Sequence, residues 1–150
     1  MSTATDIRQL VVCALGSEEY GLPIEHVREI VRFAEPRPVA SELPWMLGVI
    51  NLRGRLVPVH DLATRLGVVT SPAGGRLRAP EGETPIPRGT TAKLVIVDTG
   101  VEPVGVLVDD VVEVLRVEES QLEPVPSGEG LIARVGDRLV LLLDGEELAA

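Results

Sequence analysis

The chain has 150 residues, with 14 basic side chains against 23 acidic ones and a formal net charge of −9. That length fits one domain. The acidic balance argues against nucleic acid or an anionic membrane surface as partner, because both call for a basic patch. Hydrophobic residues make up 45% and aromatic ones only 2%, so the core has to be valine, leucine and isoleucine, a composition that favours strands over a helical bundle.

In chain order, Met1–Asp6 shows no basic stretch followed by a long apolar one, and no secretory signal is expected. Leu10–Leu15 reads as a strand, with Gly16-Ser17 opening its turn. It carries the only cysteine, Cys13, which excludes an intrachain disulfide and fits a small buried hydrophobe in a reducing cytoplasm. A strand is expected at Glu19–Leu22, one helical turn near Pro23–His26 and another strand at Val27–Phe33. Val49–Leu52 and Leu56–Val59 flank Arg53-Gly54-Arg55 as a hairpin, with Gly54 supplying a positive φ. Pro58 assigns the second arm to a sheet edge or a bulge. Asp61 as N-cap and Gly67 past the end bracket a short helix. Ser71–Thr90 is rich in proline and glycine without apolar periodicity, and reads as a flexible linker or long surface loop. Leu94–Asp98, Val104–Val108, Val111–Val117, Leu131–Val135 and Leu139–Leu143 give a second set of strands. No apolar run approaches the roughly 20 residues that a bilayer span needs.

The second set repeats the first. Gln9–Arg32 aligns with Lys93–Arg116 without a gap, pairing Leu10 with Leu94, Gly16 with Gly100, Gly21 with Gly105, Glu29 with Glu113 and Arg32 with Arg116. The hairpin Gly48–Val57 finds a counterpart in Gly130–Val140 after a small shift near the turn. Such self-similarity points to duplicated structural units, here two similar small sub-barrels. Trp45, the only tryptophan, is expected to plug the core between them.

Little in the chain suits catalysis. His60-Asp61 are chain neighbours, and Asp61 has the helix-capping role. Asp109-Asp110 aligns with Glu25-His26, a polar turn in both copies. There is no Gly-x-Ser-x-Gly elbow, no phosphate-binding glycine motif and no Cys/His cluster with metal-ligand spacing. No enzyme, metal or cofactor is expected.

The run Gly48-Val-Ile-Asn-Leu-Arg-Gly-Arg-Leu-Val-Pro-Val-His-Asp-Leu62 strongly resembles the CheW chemotaxis coupling proteins. So do Glu19-Tyr-Gly-Leu-Pro-Ile24 and Val104-Gly-Val-Leu-Val-Asp-Asp-Val-Val-Glu-Val-Leu-Arg-Val117. The resemblance covers residues 8–148, with a first half at about 8–67, the loop at 71–90 and a second half at about 91–148. It implies an all-β domain of two intertwined, pseudo-symmetric five-stranded SH3-like barrels, without cofactor or turnover. It implies a cytoplasmic adaptor that binds the tip of methyl-accepting chemoreceptors and the regulatory domain of a CheA-type histidine kinase. A coupler for pilus or gliding motility stays open, and so does a small ligand-binding β-barrel.

The resemblance places receptor docking on Ile24, Val27 and Glu29, and on Gly48, Asn51, Arg53 and Gly54. Arg53 at a hairpin tip can project guanidinium donors toward a receptor helix end, and Asn51 can brace the turn. Kinase docking is carried over to the second sub-barrel, on Val95, Val106 and Val114, where an exposed apolar patch would mark it.

Overall fold

Strand β1 (Ile7–Leu15) turns at Gly16-Ser17 into β2 (Glu18–Pro23), as the sequence predicts. The coordinates are a computed structural model that describes residues 7–66, 91–126 and 130–143. The expected loop Ser71–Thr90 and the Gly67 cap lie outside the described residues. After a single 3-10 turn at Ile24–His26, the chain runs through β3 (Val27–Arg32), β4 (Met46–Leu52), β5 (Arg55–Asp61) and the helix α1 (Leu62–Leu66). The second copy supplies β6 (Lys93–Asp98), β7 (Pro103–Val108), β8 (Asp110–Glu118), β9 (Leu122–Pro124), β10 (Leu131–Val135) and β11 (Arg138–Leu142).

These strands form two barrel-like sheets, ordered β8-β1-β2-β11-β10-β9 and β3-β6-β7-β5-β4. The repeat makes β1 equivalent to β6, β2 to β7, β3 to β8, β4 to β10 and β5 to β11. Under that exchange the two orders coincide, with β9 added at the end of the first. The duplication is therefore written into the pairing, and each copy hands its third strand and its hairpin to the other copy's sheet. The parallel ladders β2–β11 and β5–β7 join the copies at matching places, Leu142 opposite Gly21 and Val59 opposite Gly105. The third strands even share an irregularity. One extra residue is inserted at Arg28 in β3 and at its equivalent, Val112, in β8.

Strand periodicity sorts the core into three parts. Leu10 and Val12 of β1 pack with Val117, Ala133 and Val140 inside the first sheet. Leu94 and Ile96 of β6 pack with Ile50, Val57, Val59 and Leu107 inside the second. The alternate residues Val11, Cys13 and Leu15 meet Val95, Val97, Val104 and Val106 and helix α1 in a shared seam. β1, β6 and β7 are thus buried on both faces, which explains their near-continuous apolar runs.

Two expectations are corrected. Pro58 is not on an edge strand, because β5 lies between β7 and β4. It is tolerated because the ladder to β7 begins only at Val59, so its missing N–H breaks no bond on that side. Trp45 does not plug the core. It is half-buried, with the Arg65 guanidinium 4.9 Å from its ring centre, a cation–π contact, and its carbonyl accepts a hydrogen bond from the Asp61 N–H at 2.7 Å. Both sheets draw strands from both copies, so the two barrels are intertwined, as the resemblance implies. Asp61 does sit at the start of α1, where its Oδ2 accepts a 2.8 Å hydrogen bond from the Thr64 hydroxyl.

Candidate partner-binding face

The β4–β5 hairpin closes with two residues, since Leu52 pairs with Arg55. Arg53 at φ 53° and Gly54 at φ 83° give both central residues the left-handed backbone of a type I′ turn. Gly54 adopts it freely. Arg53 is the one non-glycine residue among the described ones with positive φ, a conformation that costs about 1–2 kcal/mol for an L-residue. The Asn51 Oδ1 accepts a 2.8 Å hydrogen bond from the Gly54 N–H and locks the turn, as the sequence analysis expects. The strained tip aims Arg53 at strand β3, where its Nη1 lies 2.5 Å from Glu29 Oε2. This hydrogen bond and the positive charge hold the Glu29 carboxyl below its usual range, with Arg28 adding to the effect.

Strand β3 is an edge of its sheet. The bulge at Arg28 frees that residue from the ladder with β6. Arg28, Glu29, Arg53 and Arg55 line a shallow groove of about 220 Å³, floored by Val57, Ile96 and Pro103. Among the described residues neither Arg28 nor Arg55 makes an ion pair or side-chain hydrogen bond. Among the described residues, three guanidiniums therefore share this groove with one carboxylate, on a strongly acidic protein.

The sequence-derived residues fall into distinct places. Glu29 and Arg53 are joined directly, and Asn51 and Gly54 belong to the same turn. Ile24 is 38% exposed in the 3-10 turn leading into β3, and Val27 is half-buried at the strand's start. Gly48 is buried. It has φ 146°, and a Cβ there would overlap the Arg37 carbonyl, which accepts from the Val49 N–H at 2.9 Å. Gly48 shapes the face from beneath and does not line its surface.

The kinase trio separates. Val95 and Val106 are fully buried in the seam between the sheets, so as surface contacts they are corrected: β6 and β7 are interior strands with both faces covered. Val114 is 48% exposed on β8, the edge of the other sheet, where Val112 is 44% exposed. The residues that motif reading missed are Arg28 and Arg55. Their signal lay in the repeat, where Glu19 of the first copy becomes Pro103 in the second.

Chemistry elsewhere is sparse. Burial pushes the Cys13 thiol up to about 12, so it is no nucleophile. Among the described residues, no group of three or more His, Cys, Asp and Glu side chains could hold a metal ion, and no helix is long and apolar enough to cross a membrane.

Two interlocked barrel-like sheets, with the edge strand β3 tied by an ion pair to a strained hairpin tip, are the frame in which these residues sit. The model of the CheW-like domain matches residues 9–150. A probable chemotaxis protein CheW of Rhizobium etli is 32% identical over 91% of this chain and 79% of its own length. The chemotaxis protein CheW of Bacillus subtilis is 32% identical over 80% of this chain and 67% of its own. The crystal structure of the scaffolding protein TtCheW from Thermoanaerobacter tengcongensis superposes with a TM-score of 0.76 at 26% identity, over 95% of this chain and 87% of that one. The chain belongs to the CheW-like domain family, and its role is that of an adaptor in chemotaxis.

Proposed function

We propose that the chain couples methyl-accepting chemoreceptors to a CheA-type histidine kinase in the cytoplasm, at membrane-associated receptor arrays. The receptor tip docks on the face built from β3 and the β4–β5 hairpin. The observation that carries this is the Glu29–Arg53 ion pair. It ties an edge strand to a strained turn and leaves the Arg53 side chain 73% exposed, with its remaining donors available. The kinase regulatory domain docks on the other sheet, at the exposed Val112 and Val114 of edge strand β8, so one small chain can hold both partners. Association needs no cofactor or covalent step. Multivalent display in an array makes modest pairwise affinity sufficient.

Arg53→Ala tests the receptor face. It should weaken binding to a purified receptor-tip fragment by more than about 1 kcal/mol, the scale of a charge-assisted hydrogen bond, while the circular-dichroism melt stays cooperative. Unchanged affinity would remove Arg53 from the interface, and a collapsed melt would make it a structural residue.

A further inference from the structure

The pseudo-symmetry supplies an internal reference for the basic groove. Through the repeat and the matched ladders, Arg55 corresponds to Arg138, Glu29 to Glu113, and Pro103 to Glu19. In the first sheet these groups close on each other. Arg138 donates from Nε to Glu19 at 3.1 Å and from Nη1 to Glu113 at 2.6 Å. In the second sheet the same cluster is dismantled. Proline replaces the Glu19 carboxylate, and Arg53, whose counterpart is Gly136, captures Glu29. Arg55 is left without either acid, and a groove of about 220 Å³ opens at that point.

We infer that this groove is a carboxylate-binding site. An aspartate or glutamate side chain of a partner takes the position that Glu19 fills in the sister sheet, with Arg55 as its main donor and Arg28 beside it. The duplication shows that the fold brings a carboxylate to this position when the chain provides one. Guanidinium groups match carboxylates in planar, two-donor geometry. The local excess of positive charge on a protein of net charge −9 also gives an acidic segment one favourable landing point. If the receptor docks on this face as proposed above, the inference names the chemistry it must present: an acidic residue that reaches Arg55, next to the residues that meet Arg53. That last step rests on the proposed receptor face, whereas the carboxylate site itself does not.

The test therefore has two arms. In the first, a hexaglutamate peptide is titrated into the full chain at low salt, and the arginine Nε–Hε resonances are followed by NMR. The Arg55 signal should shift saturably, the shift should vanish in Arg55→Gln, and it should be strongly reduced in Pro103→Glu, which restores the missing internal acid. A hexaglutamine control should shift nothing. A thermal melt checks that each variant folds. Should Pro103→Glu fail to fold, Arg55→Gln and the glutamine control still decide. An Arg55 signal blind to the peptide, or one that responds equally to hexaglutamine, overturns the site. In the second arm, Arg55→Gln should weaken binding of a receptor-tip fragment about tenfold. Single Glu→Gln or Asp→Asn changes in the fragment should reveal one acid whose loss costs wild type but not Arg55→Gln. A tip that binds wild type and Arg55→Gln equally removes the carboxylate from the receptor contact and leaves the docking face intact. A tip that does not bind wild type removes the docking face, and the peptide arm alone then judges the site.

Discussion

Gly48 and His60 show how individual residues set the stability of the strands β4 and β5. Gly48 lies where any side chain would collide with the Arg37 carbonyl, in a backbone conformation that L-residues avoid. Gly48→Ala should therefore destabilise the fold by about 2–4 kcal/mol, measured by urea denaturation, and any loss of receptor binding in that variant should track the unfolding. His60 is 4% exposed, and its Nδ1 has no hydrogen-bond partner. Burial and the nearby Arg65 charge push it down to about 4, below the unfolded value near 6.5. The unfolded chain then binds a proton that the folded one refuses. This contribution to stability is complete above about pH 6.5 and is lost as pH falls toward 4, by on the order of 2 kcal/mol after allowance for partial solvation. His60→Phe should flatten that part of the stability–pH curve, and an unchanged slope would show that other groups carry it.

At the scale of elements, the repeat was the most legible feature. Valine-rich runs with turn signals gave the strands, and the alignment of Val27–Phe33 with a β-branched segment identified β3 as a strand despite its helix-like spacing. The hairpin and its Asn51 brace were readable because turn chemistry is local. What the sequence could not reveal was which face of a strand meets solvent. Val95, Val106 and Val114 look alike in composition, yet β6 and β7 are covered on both sides while β8 is an edge. The Arg53–Glu29 pair was equally hidden, because it joins residues 24 positions apart across a sheet whose order was unknown. If the kinase docks on β8 as proposed, Val114→Glu should leave the melt and receptor affinity unchanged and abolish binding of the kinase regulatory domain in a pull-down. Val95→Glu should instead prevent folding, because it places a charge in the seam.

For the whole molecule, the exchange of strands between copies has a direct consequence. Neither half owns a complete sheet: the first copy's β1 and β2 need β8, β10 and β11, and the second copy's β6 and β7 need β3, β4 and β5. A fragment ending at Leu66 and another starting at Thr91 should each be unfolded alone and recover β-sheet circular dichroism when mixed. Cooperative folding of either fragment by itself would contradict the strand exchange.

The central claim is that one small adaptor holds a receptor tip and a kinase regulatory domain at once, on edge strands of different sheets. The most direct measurement is calorimetric titration of a receptor-tip fragment into the chain, first free and then saturated with the kinase regulatory domain. Equal affinity in the two titrations, with a ternary complex of matching mass by light scattering, is the predicted result. Displacement of the kinase domain by the receptor tip would contradict the account, because it would mean that the two partners compete for one surface.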